Sequence, residues 1–398
     1  MKIQPTKRIE QHMMELLGQR DRNSAVALRL LLPLVRDVQN QVCIQQPERF
    51  WQQAEQFQKT FVMPQLEPLT REQAFWMSFY WGYLTMAKAN DIFKSNYEFV
   101  MFMYELCRNG RVMEPDEFAQ DPFLRDVTFE ECTCGSFSMR TQSYAPYQLL
   151  LCGTTVHNRE LGVELPRLGC FTQQMQFPVI AEGDAVRWAV SPNQIVTTRP
   201  HVQAARGRVL VLGCGTGYYA YLASLKEDVE SVTIVEKSPE VIELFARHIL
   251  PQFATRDKIR IVQGDAFEYL NELNDGFYDS CFAQLWPDAS DESCELYLRL
   301  RSACRRFKRM RVRYWIEDAL AAHLVPLAWM ELVQASYKLY HIEKHDPMSL
   351  PVQLEQQHQF VATLLKKETV TRPEQLDEYL DPEQLIARMN QARLEYEA

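Results

Sequence analysis

Val209-Leu210-Val211-Leu212-Gly213-Cys214-Gly215-Thr216-Gly217 decides how this chain is read. The apolar run Val209–Leu212 is the right length for a buried strand, and glycines at alternate positions end it. Tyr218–Leu225 then carries a helical pattern. A strand that runs through glycines into a helix lets backbone N–H groups approach a ligand closely, and it aims positive peptide dipoles at that ligand. Glycine spacing narrows the ligand class. A dinucleotide fingerprint, G-x-G-x-x-G, would need its third glycine where Tyr218 stands; the spacing here is G-x-G-x-G. A phosphate-binding P-loop fails as well, because no Gly-Lys-Ser/Thr follows.

The alternation continues on the C-terminal side. Arg208–Leu212 is followed by a second strand at Ser231–Val235, with Glu236 at its end. Ser238 is the N-cap of the next helix, with Pro239 at its first position and Val241, Phe245 and Ile249 along one face. Further strands are expected at Ile259–Val262, Tyr278–Ala283 and Val312–Ile316, with a helix marked by Leu296, Leu300, Ala303 and Phe307. Asp265 and Ala266 follow the third strand, and Gln284 the fourth. Strands and helices in this rhythm imply an α/β fold: a Rossmann-like, doubly wound, mostly parallel sheet. Glu236 lies 19 positions beyond Gly217, where an acidic side chain can accept from ribose hydroxyls.

On these residues, roughly Gly207–Ile316, the chain resembles the class I S-adenosylmethionine-dependent methyltransferases. The resemblance implies S-adenosyl-L-methionine as cofactor. It implies Gly213, Cys214, Gly215, Thr216 and Gly217 around the methionine part, Glu236 with Lys237 at the ribose, and Asp265 with Ala266 at the adenine. The chain departs from that family at Val211, where an acidic residue is usual, and at Gln284, where the fourth strand often ends in an acid or Asn. The usual sixth and seventh strands are not evident after Glu317; either the sheet is shortened or they lie within Glu331–Ile342. Phe177–Trp286 is also similar to the polyamine aminopropyltransferases, relatives of spermidine synthase. Their catalytic aspartate falls at Gln284, and an amide is no general base. Gln284, Trp286 and Asp288 are the candidates for the reacting end, with Glu317 and Asp318 behind the fifth strand. Methyl transfer to an unknown acceptor, a small molecule rather than nucleic acid, is the leading expectation. Aminopropyl transfer is the alternative, and so is a non-catalytic protein that kept the cofactor fold.

The rest of the chain frames this core. Residues 1–118 read as a helical N-terminal region, 119–200 as a small β-rich segment, 201–345 as the Rossmann-like domain and 346–398 as a helical C-terminal tail. Capping boxes are expected at Thr70/Gln73 and Ser95/Glu98, and Gly110 reads as a helix stop. Phe75, Phe79 and Tyr83 recur at i, i+4, i+8 with Trp76 and Tyr80 beside them, as core residues do. The N-terminal helices would shape an acceptor pocket or a homo-oligomer interface. Hydrophobic residues make up 46% of the 398 and charged residues 24%, enough apolar material to exclude wholesale disorder. The net charge of −9 argues against a general nucleic-acid binder. No apolar run nears the roughly 18 residues of a membrane span, and the first residues lack the apolar stretch of a secretory signal. Ten cysteines are too sparse for a disulfide scaffold, which points to reduced thiols and a cytoplasmic setting. Cys132 and Cys134, with Cys152 and Cys170, fit no usual zinc spacing, so no metal is expected. The basic run Arg299–Arg313 reads as a helix with acids at its start and bases at its end. His341–His345 lacks the H-E-x-x-H order.

Overall fold

Five parallel strands form where the alternating pattern places them: β5 (Gly207–Leu212), β6 (Val229–Glu236), β7 (Ile259–Gln263), β8 (Ser280–Ala283) and β9 (Arg311–Tyr314), in the spatial order β7-β6-β5-β8-β9. (Four earlier strands, β1–β4 between residues 132 and 189, form a separate antiparallel sheet.) The computed structural model describes residues 1–60, 66–86, 97–158, 163–286, 291–340, 355–366 and 368–391. Strand order reverses between β5 and β8, the crevice where open α/β sheets bind ligands. Register makes the carboxyl edge level. Leu212 pairs with Val235 on one side and with Ala283 on the other, and Glu236 pairs with Gln263. The ladder runs one step further: Gly213 N–H donates to the Val235 carbonyl, Gln284 N–H to Leu212 and Gly264 N–H to Glu236. Gly213, Glu236, Gly264 and Gln284 therefore stand side by side.

Helices α2 (Tyr218–Ser224), α3 (Pro239–Leu244), α4 (Ala266–Glu272) and α5 (Asp291–Cys304) connect the strands. Every second strand residue faces α2 and α3: Val209, Val211, Val232 and Ile234 share one buried cluster with Tyr218, Ala220, Val241 and Phe245. Ser238 Oγ accepts from Val241 N–H with Pro239 at the first helical position, as the sequence predicts. The basic run departs from its reading. Helix α5 ends at Cys304, so only Arg299 and Arg301 lie in it, and the other bases occupy the following loop and β9.

An antiparallel sheet precedes this core: β1 (Cys132–Cys134), β2 (Phe137–Tyr144), β3 (Met175–Glu182) and β4 (Ala185–Ala189), in the order β4-β3-β2-β1, followed by α1 (Pro192–Ala204). Gly183-Asp184 turns β3 into β4. Register then slips between Val186 and Trp188, so Arg187 is an extra residue in the ladder, a β-bulge.

The chain divides into two compact units that cut across the four consecutive segments expected from sequence. One comprises Glu114–Tyr144 and Gln174–Leu320; the other comprises Met1–Met113, Ala145–Gln173 and Ala321–Ala392. The expected β-rich segment is thus split, because Leu168–Phe171 pairs with Leu150–Leu151 on one side and with Arg111–Met113 on the other, in the helical unit. That unit also pairs Lys2–Ile3 in parallel with Thr369–Val370. Its helix Arg71–Met86 begins with the expected capping box: Gln73 N–H donates to Thr70 Oγ1 and Thr70 N–H to Gln73 Oε1. Phe75, Trp76, Phe79 and Tyr80 are core. Gly110 does follow the helix Tyr97–Arg108, but not as a left-handed stop. A side chain there would lie 2.5 Å from the Trp76 ring, so the glycine admits that indole. Glu317–Tyr340 is one helix, so no further strand lies in Glu331–Tyr340. Ser95, the Glu98 side chain and His341–His345 lie outside the described residues. No helix among the described residues is long and apolar enough to cross a membrane.

Candidate functional site

The glycine loop has its shape because two of its residues can be nothing but glycine. Gly213 has φ +89°, and a Cβ there would lie 2.6 Å from the Gln284 carbonyl oxygen, which is backbone and cannot step aside. Gly217 has φ +77°, starts α2, and a Cβ would lie 2.3 Å from the Phe245 ring. Both carry a left-handed backbone and a close approach, which is the combination that excludes side chains.

Glu236 locks the loop to the sheet. It is only 7% exposed. Its Oε2 accepts from Cys214 N–H at 2.9 Å, and its Oε1 accepts from Lys237 N–H and Ser238 N–H, each at 2.9 Å. A carboxylate offers about four acceptor positions, so the backbone takes three and leaves about one for a ligand. This corrects the expectation that the carboxylate is free for both ribose hydroxyls. Sequence showed a strand-end acid; it could not show that neighbouring amides fill most of it.

Beside Glu236 lies a cavity of about 400 Å³, within the usual range for small-molecule sites. Of the sequence candidates, Gly213, Glu236, Lys237, Asp265, Ala266, Gln284 and Trp286 line it. Cys214, Gly215, Thr216 and Gly217 do not. Cys214 turns its thiol into the core beneath the loop, where burial, and then Glu236, push it well above the ordinary thiol range. It is a neutral packing group there rather than a nucleophile. Asp265 uses Oδ1 to cap α4, accepting from Phe267 N–H at 2.8 Å and Glu268 N–H at 3.4 Å. Its other oxygen has no partner among the described residues. The Gln284 amide likewise makes no side-chain hydrogen bond among them. Trp286 is 1% exposed, and its indole N–H finds no partner among the described residues; a buried donor of that kind calls for a partner. Asp288 lies outside the described residues. Glu317 does not line the cavity: its Oε1 accepts from the Tyr297 hydroxyl at 2.6 Å and from Arg301 at 2.8 Å. Asp318 is not among the lining residues either.

The far wall was not found from sequence. Phe137 and Trp188 line the cavity with rings stacked 6.1 Å apart at 21°, and the Trp188 ring lies 3.4 Å from where a Gly215 Cβ would be. Arg187 lines it too, paired with Glu182 through Nε at 2.9 Å and Nη2 at 2.7 Å. On a regular strand, neighbours point to opposite faces. The bulge lets Arg187 and Trp188 serve the same cavity. One sequence signal was available: Gly183-Asp184 between two apolar runs is a hairpin turn.

The residues present fit a polar organic ligand with a hydroxyl-bearing end. The glycines make room, Glu236 keeps one acceptor position, Lys237 and Asp265 sit with it at the β6–β7 end, and Arg187 and Glu182 pair on the far wall. No family model and no curated protein matches this chain. Among solved structures it is similar to spermidine synthase from Thermotoga maritima, with 16% identity over 36% of this chain and 58% of that one, and a TM-score of 0.26. It is also similar to a spermidine synthase in complex with the transition-state analogue AdoDATO, with 14% identity over 36% and 57% of the two chains, and a TM-score of 0.26. The chain spans somewhat over half the length of these structures. A likeness of that size carries no argument about activity.

Proposed function

We propose that this protein binds S-adenosyl-L-methionine at the carboxyl edge of the parallel sheet and transfers its methyl group to a small acceptor. The observation that carries the reading is the junction of the glycine loop with Glu236. Left-handed glycines make room at the switch point, and a buried carboxylate with one acceptor position left faces the cavity. When bound, the cofactor supplies a methyl group already activated by its sulfonium: the acceptor's lone pair bonds to the methyl carbon and the electrons of the broken S–CH3 bond return to sulfur. The chain's own task is to hold and align the two reactants and to exclude water. Glu236 would hold the ribose through its remaining position. Asp265, with one oxygen uncommitted, would meet the adenine end beside Ala266.

Aminopropyl transfer needs a base to deprotonate an ammonium. Gln284 holds the edge of β8, and no acidic side chain among the described residues lines the cavity on that strand. That favours methyl transfer. Calorimetric titration with S-adenosylmethionine, S-adenosylhomocysteine, decarboxylated S-adenosylmethionine and NAD tests the reading. Binding of the first two is expected. Tight NAD binding with no response to either sulfur ligand sinks it.

A further inference from the structure

We infer that the acceptor is an uncharged, flat molecule, held against the Trp188–Phe137 wall with the Gln284 amide as its polar contact. This rests on the donor placement proposed above and extends it to the other half of the same cavity. Charge is divided along the sheet edge. Glu236, Lys237 and Asp265 stand on or after β6 and β7, whereas the residues after β8 are Gln284, Leu285 and Trp286, joined by Leu296 from α5. Neighbouring strands are about 4.8 Å apart. Glu236 is two strands from β8, roughly 10 Å, and Asp265 three, roughly 14 Å.

Two charges remain on the far wall, and they cancel. Arg187 and Glu182 hold each other through two nitrogen–oxygen contacts at 2.9 and 2.7 Å. A diammonium acceptor placed at the β8 end would shed water there without meeting a carboxylate among the described residues that line that end, Gln284, Leu285, Trp286 and Leu296. A flat neutral molecule meets the opposite situation. It finds two stacked aromatic rings, two leucines and a Gln284 amide that has no side-chain partner among the described residues. Among the described residues, no lining side chain on or after β8 takes a proton at neutral pH, so the acceptor's nucleophilic atom should have no proton to shed. An aromatic ring nitrogen meets that requirement.

Calorimetry on the full chain saturated with S-adenosylhomocysteine tests this, with quinoline as the neutral flat probe and putrescine as the dication. Quinoline should bind at least tenfold more tightly than putrescine. Gln284→Glu places a carboxylate where the amide stands; it should tighten putrescine at least tenfold and weaken quinoline. Putrescine binding to the natural chain as tightly as quinoline overturns the inference. So does no measurable quinoline binding, or a Gln284→Glu variant that folds, binds S-adenosylhomocysteine and leaves putrescine unchanged. Failure of S-adenosylhomocysteine itself to bind is a different result: it removes the donor placement, and the inference falls with it.

Discussion

Replacing Glu236 by Ala should damage two separable quantities. Three backbone donors lose their acceptor: Cys214, Lys237 and Ser238. Lys237 is exposed, and its amide and that of Ser238 can turn to water. Cys214 is buried, and its N–H would be stranded beneath the glycine loop. A hydrogen bond to a charged group is worth about 1.5–3 kcal/mol. In a unit of this size each kcal/mol moves Tm by about 2–4 °C, so the melting temperature should fall by about 3–12 °C. Ligand affinity should fall independently. One acceptor position is left for the ligand, so one charged hydrogen bond is lost, roughly ten- to hundredfold in Kd. Glu236→Gln is not a rescue. Its amide oxygen can serve Cys214 or the Lys237–Ser238 pair, and its NH2 then opposes the other. Scanning calorimetry reads the first quantity and titration with S-adenosylhomocysteine the second. A lower Tm with unchanged affinity would reduce Glu236 to a clasp and move the donor elsewhere. An unchanged Tm would refute the reasoning about the loop itself.

Gly213→Ala should cost more than Gly215→Ala: the first meets a backbone carbonyl at 2.6 Å, the second a Trp188 ring at 3.4 Å. Positive φ alone costs roughly 1–2 kcal/mol at either site, so urea midpoints in the reverse order would contradict the close-approach argument. Gly110→Ala drives a methyl into Trp76 and should lose at least about 1–3 kcal/mol; chemical unfolding followed by tryptophan fluorescence would reveal a neutral variant. Burial, and secondarily the Arg313 guanidinium, pull the His201 imidazole down to about 4. The unfolded imidazole takes its proton near 6.5 and the folded one only near 4. The resulting stability is complete above about pH 6.5 and is lost as pH falls to about 4, up to about 3 kcal/mol. His201→Leu should flatten that part of the curve of stability against pH; a slope equal to the parent's counts against it.

Where local chemistry decides structure, the sequence could be read. Apolar strands abut glycine, Ser-Pro and Gly-Asp punctuation, so the five strands and their parallel sense follow from periodicity and the helices between them, whereas their spatial order is given by the structure. The Thr70/Gln73 box is equally local. What could not be read depends on distant partners. Leu150–Leu151 and Leu168–Phe171 belong with Arg111–Met113 rather than with β2 and β3, and short apolar runs carry no signal for which sheet they join. At the site, Glu236 was legible as a strand-end acid, but of its three amide partners Cys214 comes only from register across β5 and β6, and Lys237 and Ser238 from the turn the chain takes after the strand. Arg187 and Trp188 were hidden because a bulge breaks the alternation by which strand faces are inferred.

The pairing of Lys2–Ile3 with Thr369–Val370 imposes an order on manufacture. A ribosome working at roughly 5–20 residues per second makes the last strand of the five-stranded sheet, Arg311–Tyr314, before the tail that the first strand needs. The unit that holds the five-stranded sheet can close while the N-terminal strand still waits, about 20–70 s after its own synthesis at that pace. For that interval the nascent chain carries Lys2–Ile3 with its edge unpaired. Such an edge is open to wrong partners, so a stalled chain ending before Thr369 should draw more on holding chaperones than its finished sheet would suggest.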